Sequence, residues 1–363
     1  MMAEEASAAN VEIVVLASSS EDCAVDRCSQ VVLGQPTSRE ALQNLREASD
    51  VITFDHELVS LPVLRQLEAE GAVVRPSADA LAHSVDKAHQ REAFRAAGLP
   101  VPAFHLVRNG DLSGVEDFLE SLSGPPVVKT ATGGYDGRGV LFPTSRDETL
   151  ALLAEMPGLV DIVLEERVDL VAEVAQMIAR GVSGDVVTYP LVTTVQADGM
   201  CNEVRFPSDL DQALHDEADV LTRTIAHTIG LVGVMAVEYF VTPQGLVINE
   251  LALRPHNSGH WSIEGCETSQ FVNHLLAVSG QPLRPTTPQA PAAVMVNVVG
   301  ADAPGSIADA KAVAGAFVHD YGKSWRPGRK LGHVTVLGAT VEEAKVTAWK
   351  SARAYGTSTK ESS

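Results

Sequence analysis

Lys129 closes an apolar run, Val127-Val128-Lys129, and a glycine-rich stretch, GGYDGRG, follows from Gly133 to Gly139. Glycines let backbone amides approach and face an anion, and a lysine fixed at a strand end adds positive charge, so the layout suits a nucleotide's phosphates. The stretch also carries Tyr135, Asp136 and Arg138, which a plain linker does not need. It is not a P-loop, because the Gly-Lys-Ser/Thr ending is missing, and GxGxxG spacing is absent. Taken alone, the segment fits a hairpin turn with surface charges equally well.

A second group lies in VMAVEYFVTPQGLVINELALRPHNSGH, residues 234–260. It reads as a β-hairpin with Pro243, Gln244 and Gly245 in its loop, so residue 242 is expected to pair with 246 and Glu238 with Glu250. Two carboxylates opposed on one face repel unless a cation lies between them. Asn249 and Glu250 interrupt an otherwise apolar strand, which fits a divalent site of oxygen ligands. The plainer alternative is two solvated glutamates on an ordinary hairpin. Arg254, His256, Asn257 and His260 follow in a loop rich in Gly, Ser and Pro, and this is an anion-binding set. A third group, YGKSWRPGRKLGH from Tyr321 to His333, packs Lys323, Arg326, Arg329 and Lys330 around a Pro-Gly turn. It reads either as a solubilising loop or as a phosphate clamp, and the scarcity of other positive clusters favours the clamp.

The elements that must hold these groups show a change of pattern along the chain. Apolar runs at residues 12–16, 31–33, 51–54 and 72–74 alternate with helical patterns such as Ser38 to Ala48, as in a parallel sheet with crossover helices. A helix starting near Ser84 carries Lys87 and stops at Gly98 before Pro100. From Val101 to Arg284, strand pairs mix with helices, including one from Ser208 to Ile229 closed by Gly230. Pro282 to Pro291 reads as a linker to a small last unit with a polar tail. Three units are expected, 1–98, 99–284 and 285–363.

The chain has 363 residues, 45% hydrophobic, with a formal net charge of −20, so nucleic acid is an unfavoured partner and anionic ligands need local basic clusters. No apolar stretch is long enough to span a membrane and the first residues do not read as a signal peptide, so a cytoplasmic location is expected. Cys23, Cys28, Cys201 and Cys266 lack CxxC spacing and are expected to be free thiols.

Lys87, Lys129, the strand end Glu165-Glu166, Glu173 and the pair Glu238 and Glu250 form an ordered series that resembles the ATP-grasp superfamily, in which two α+β lobes hold ATP and magnesium. Within it, GGYDGRG, NELALRPHNSGHW and YGKSWRPGRKLGH resemble the PurK-type 5-(carboxyamino)imidazole ribonucleotide synthases of purine biosynthesis, over about residues 11–345. The resemblance implies an ATP-grasp fold of α/β and α+β class, with an N-terminal parallel-sheet domain and a small C-terminal β-rich domain.

The resemblance also implies roles for single residues. Lys87 and Lys129 are expected at the ATP phosphates, under a closing loop of Gly133, Gly134, Tyr135, Asp136, Gly137, Arg138 and Gly139. Glu165, Glu166, Arg167 and Val168 are expected to edge the adenine, and Glu173 to hold the ribose hydroxyls. Gln196 stands near the ATP where many relatives have histidine. Glu238 and Glu250 are expected to ligate Mg2+ (or Mn2+), with Asn249 beside them. Tyr135, Asp136, Arg138, Arg254, His256 and Asn257 are expected at the aminoimidazole ribonucleotide, and Lys323 and Arg329 at its phosphate. Asp136, Arg138, Arg254 and Lys323 are the expected catalytic groups. The implied reaction makes carboxyphosphate from ATP and bicarbonate, then carboxylates the ribonucleotide's exocyclic amine. A homodimer is implied as well.

One departure concerns the start. Relatives usually place a strand, a GGGQLxxM turn and a helix before the segment that VEIVVL matches, whereas Val11 stands near the beginning here, so the first β-α unit is expected to be missing and a sheet edge exposed. That favours a truncated or non-catalytic nucleotide-binding homologue as the alternative, against which the intact lysines and glutamates argue. Another ATP-grasp ligase is a further alternative, opposed by RPHNSGHW and the YGK to GRK motif.

Overall fold

The computed structural model describes residues 1–134, 139–156, 158, 160–197 and 199–358. A short helix, α1 (Met2–Glu5), opens the chain and is followed by β1 (Val14–Ala17), β2 (Gln30–Leu33), α2 (Arg39–Glu47), α3 (Leu61–Ala69), α4 (Ala78–Val85) and α5 (Lys87–Ala96). β1 and β2 pair in parallel, in register Val14↔Gln30 to Ala17↔Leu33, and among the described residues no strand precedes β1. Ser38 caps α2 by accepting from Ala41 N–H, and the helix buries Ala41, Leu42 and Leu45 on the sheet side.

Two expectations for this unit need correction. The runs at 51–54 and 72–74 form no strands but meet in one parallel bridge, Ile52↔Val74, because their flanking residues turn away into loops. The helix expected from Ser84 is two helices: Ser84 lies inside α4, and Asp86, in extended conformation, breaks the run and caps α5 through His89 N–H.

A small lobe follows, with β3 (Phe104–Val107), α6 (Val115–Ser121), β4 (Val127–Thr130), β5 (Val140–Leu141), α7 (Arg146–Glu155) and β6 (Ile162–Glu165). Its four strands lie in the order β3-β6-β4-β5, all antiparallel. Val107, Leu119, Val128, Leu153, Ile162 and Leu164 form its core.

The rest of the chain builds one large sheet. β7 (Ala172–Arg180), β8 (Val186–Thr188), β9 (Val192–Ala197) and β10 (Met200–Phe206) lead to α8 (Gln212–Thr228), β11 (Gly233–Thr242) and β12 (Gly245–Ala252). α9 (Ser262–Gly265) and α10 (Gln270–Ser279) precede β13 (Ala292–Val299), α11 (Ile307–Lys311), β14 (Ala316–Asp320), β15 (Lys330–Gly338) and α12 (Val341–Tyr355). The nine strands run β12-β11-β7-β9-β10-β13-β15-β14, with β8 on β7. The last unit therefore has no sheet of its own, because β13 pairs with β10 from Glu203↔Val296 to Phe206↔Ala293. All eight residues of β13, AAVMVNVV, are buried, which suits a strand covered on both faces. The Trp349 indole N–H on α12 donates to the buried Glu203 carboxylate, which also receives Arg205.

Candidate functional site

The small lobe presents a buried charge network. Lys129 on β4 and Glu165 on β6 are shielded by the strand pairing Val127↔Glu165 and Lys129↔Val163. Lys129 Nζ stands 2.7 Å from Glu165 Oε2, and Arg91 Nε stands 2.7 Å from Glu165 Oε1. Lys129 Nζ also reaches Asn249 Oδ1 at 3.4 Å, while Arg91 donates to the Asn249 carbonyl at 2.7 Å. α5, the small lobe and β12 are thus joined at one point. Burial on its own would raise the Glu165 carboxyl, but Arg91 and Lys129 overcome it and hold the group at about 2. Burial lowers the Lys129 ammonium, which Glu165 opposes. The Glu165 side chain is occupied by these cations and faces inward. Glu166 and Arg167 are exposed beyond it, with the Arg167 guanidinium 5.6 Å above the Phe142 ring.

The backbone N–H of Lys87 donates to the Ala131 carbonyl, so the start of α5 abuts the root of the glycine-rich loop. Gly133 and Gly139 bracket that loop with φ of +79° and +76°. A Cβ at Gly139 would sit 2.5 Å from Thr130 Oγ1, so this position excludes a side chain on two counts. Tyr135, Asp136, Gly137 and Arg138 lie outside the described residues.

Across from the network, three carboxylates share a sheet face. Glu238 pairs with Ala175 on β7 and with Glu250 on β12, and Glu173 lies two residues before Ala175, so all three point the same way. The Glu238–Glu250 pairing occurs as expected, but the turn differs. Thr242 pairs with Gly245 rather than with 246, leaving a two-residue loop, and a bulge at Asn249 then shifts the register back by one. Burial, then Glu250 and Glu173, push the Glu238 carboxyl up to about 8, with Lys330 and Arg254 opposing. Burial raises the Glu173 carboxyl, against a hydrogen bond from Gln196.

Among the described residues no three His, Cys, Asp or Glu side chains converge as a metal-binding group. Glu238 and Glu250 nevertheless suit a hard divalent cation that takes one or two carboxylates and completes its shell with phosphate oxygens and water. The like-charge strain on Glu238 is what such a cation relieves.

The loop after β12 brings Arg254, His256 and Asn257 beside these carboxylates. Glu57, from the first unit, holds this loop: its Oε1 accepts from Leu253 N–H at 2.9 Å, and its Oε2 lies 3.3 Å from Arg254 Nε. His256 Nδ1 accepts from Ser258 N–H, which leaves its Nε2 to carry the proton, 3.9 Å from Glu238 Oε1. Burial, then Arg254 and Lys330, drive the His256 imidazole well below its ordinary range, so it is neutral. Both polar atoms of the Asn257 amide are buried without a hydrogen-bond partner among the described residues. Gln270 braces the loop by accepting from His256 N–H and donating to His256 O, each at 2.8 Å.

The basic turn between β14 and β15 reaches the site through Lys330 at its end. Lys323 Nζ lies 5.3 Å above the Tyr321 ring, and Arg329 donates to Ser324 Oγ at 2.8 Å. Lys330 is close enough to act electrostatically on Glu238, His256 and His260.

Sequence reasoning missed Glu57, Arg91 and Gln270. Arg91 sits in a charged helical segment, HQREAFR, that reads as a solvated face, and only its burial reveals it.

Comparison with known proteins gives three family matches: a ribonucleotide synthetase preATP-grasp domain at residues 1–84, an ATP-grasp domain at 92–271, and a phosphoribosylaminoimidazole carboxylase C-terminal domain at 293–347. N5-carboxyaminoimidazole ribonucleotide synthase of Mycobacterium tuberculosis is 41% identical over 342 residues, covering 91% of this chain and 79% of the relative. The crystal structure of N5-carboxyaminoimidazole ribonucleotide synthetase from Thermus thermophilus superposes with a TM-score of 0.89 at 32% identity, over 100% of this chain and 97% of that one. The Aspergillus clavatus synthase, in complex with ADP and 5-aminoimidazole ribonucleotide, superposes with a TM-score of 0.86 at 28% identity, over 98% and 95%.

Proposed function

Because this chain belongs to the N5-carboxyaminoimidazole ribonucleotide synthases of the ATP-grasp superfamily, we propose that the groups gathered along β4, β11, β12 and the β14–β15 turn carry that family's reaction. The enzyme is an ATP-dependent carbon–nitrogen ligase that carboxylates 5-aminoimidazole ribonucleotide in purine biosynthesis. The observation that carries the residue assignment is the opposed pair Glu238 and Glu250, with Glu238 pushed up to about 8.

Lys87 and Lys129 receive the phosphates of ATP, and the loop from Gly133 to Gly139 closes over them to exclude water. The chain from Glu165 to Val168 edges the base, the Glu165 side chain staying on its two cations, and Glu173 with Gln196 meets the ribose. Glu238 and Glu250, with Asn249 in the bulge beside Glu250, would hold Mg2+ or Mn2+, which would offset charge on the phosphates.

A bicarbonate oxygen attacks the γ-phosphorus, ADP departs, and carboxyphosphate results. It breaks into carbon dioxide and phosphate, and the ribonucleotide's exocyclic amine adds to the carbon dioxide with loss of a proton. Arg254, held by Glu57, and the neutral His256, with its Nε2 proton toward the carboxylates, orient the anions. Lys323 and Arg329 grip the ribonucleotide's phosphate. No protein nucleophile is needed, and the Cys266 thiol, pushed up to about 12 by burial, is inert at neutral pH.

We also assign the working units as 1–98, 99–284 and 285–363, acting as a homodimer in the cytoplasm. Among the described residues no helix is long and apolar enough to cross a membrane. The test of the reading is ADP release with magnesium and bicarbonate, with and without the ribonucleotide. Stimulation by the ribonucleotide that is lost in Glu250→Gln and Arg254→Ala supports it; nucleotide binding without stimulated turnover overturns it.

A further inference from the structure

Behind the basic turn, three imidazoles stack across the junction between the ATP-grasp lobe and the last unit. His319 on β14 stacks on His333 of β15 at 4.5 Å, and His333 stacks on His260 at 5.0 Å. The cross-strand register His319↔His333 sets the first pair. His333 Nδ1 bonds the Tyr321 hydroxyl at 2.9 Å, and Tyr321 stands two residues before Lys323. At the other end, His260 Nδ1 meets Gln270 Nε2 at 2.9 Å, the amide that also braces His256. One contact anchors the stack: His319 Nε2 lies 2.6 Å from Glu264 Oε1 on α9.

Glu264 is nearly buried, with Oε2 lacking any hydrogen-bond partner among the described residues. A carboxylate so placed is costly without its partner, so the position of Glu264 makes sense through His319. Gly332, beside the pair, has no room for a side chain, since a Cβ there would collide with the His319 carbonyl and lie 2.9 Å from the Tyr355 ring. Tyr355 donates to Asp320 at 2.6 Å, fixing the residue between His319 and Tyr321. The segment leading to Lys323 is therefore held from α9, β15 and α12 at once.

The geometry points to Glu264 and His319 as a positioning pair that fixes, through His333 and Tyr321, the turn carrying Lys323 and Arg329, and so sets the grip on a phosphate monoester. This rests on the reading of that turn as the ribonucleotide's phosphate site. Neither residue touches the substrate. The pair acts by aligning cations that must meet a phosphate at hydrogen-bond distance.

The test is steady-state kinetics of the full chain, with thermal unfolding recorded on the same samples. Glu264→Ala should raise KM for the ribonucleotide roughly tenfold, leaving KM for ATP and kcat within about twofold. Glu264→Gln, whose amide oxygen still accepts from His319, should recover most of the loss, and His319→Asn should resemble Glu264→Ala. Equal changes in both KM values tracking a lower melting point, or no difference between the Ala and Gln variants, would overturn the proposal. If the wild-type chain shows no ribonucleotide-stimulated ADP release, the functional reading itself fails. Calorimetric binding of ribose 5-phosphate then judges the pair: weaker in Glu264→Ala and recovered in Glu264→Gln supports it, and equal affinities refute it.

Discussion

Glu165 Oε2 receives Lys129 Nζ at 2.7 Å while its other oxygen receives Arg91 Nε at the same distance, and all three side chains are out of water. One carboxylate thus answers two cations, and removing it strands both. Glu165→Gln should lower unfolding stability by about 3 kcal/mol, the scale for breaking a buried ion pair, measured by denaturant titration. Burial opposes ionisation of Glu165, but the two cations hold it at about 2, below its ordinary 4.5. Its contribution is complete above pH 4.5 and declines as pH falls toward 2. The variant should lack that acid-dependent component.

The opposite sign applies to Glu238. Burial, with Glu250 and Glu173, raises its carboxyl from 4.5 to about 8, so ionising it in the folded protein costs stability progressively between those values. A divalent cation removes that cost. Adding magnesium should therefore raise the melting temperature more at pH 8 than at pH 5, and Glu250→Gln should abolish most of the difference. An equal rise at both pH values would sink the assignment.

Acid should also weaken the fold through histidine. Burial depresses His274 and His260 to about 3, and depresses His333 well below 6.5, so the unfolded chain takes up protons that the folded chain refuses. His274 accepts from Val234 N–H at Nδ1 and bonds Thr53 Oγ1 through Nε2, leaving no room for a second proton. Each group contributes about 1.4 kcal/mol per pH unit of loss as pH drops below 6.5. Burial depresses His256 in the same way, and these four histidines outweigh the two opposing carboxylates, Glu238 and Glu173, so stability should fall from pH 6.5 to 5. Urea midpoints across that range are the measurement, and a flat profile would refute it.

Gly139→Ala probes the closing loop. The new Cβ would require φ of +76° and would sit 2.5 Å from Thr130 Oγ1. A cost of about 1 to 2 kcal/mol at the loop root is expected, read as a higher KM for ATP with little change in KM for bicarbonate.

Much of the site is legible in the sequence because a short turn fixes cross-strand register: read as a loop between two apolar runs, Pro243-Gln244-Gly245 sets Glu238 opposite Glu250. The expected pairing of the two occurs through two compensating differences, a shorter turn and a bulge at Asn249, and no local signal in TPQGLVINE reveals the bulge. Arg91 and Glu57 are hidden because a charged residue in a helix or polar loop reads as solvated until its partner, far along the chain, is known. The histidine stack is hidden for the same reason, since His260, His319 and His333 lie on separate elements. The runs at 51–54 and 72–74 are apolar enough for strands, yet tertiary packing gives them only one bridge.

The pairing of β10 with β13 separates units of sequence from units of stability. Three family matches tile the chain like exchangeable modules, yet the hydrogen bonds from Glu203↔Val296 to Phe206↔Ala293 cross the boundary between two of them. A protein cut in the Pro282–Pro291 segment loses those bonds and the indole that answers Glu203, turning an interior strand into an adhesive edge. Shuffling the last module between relatives would have to carry β10 along with it.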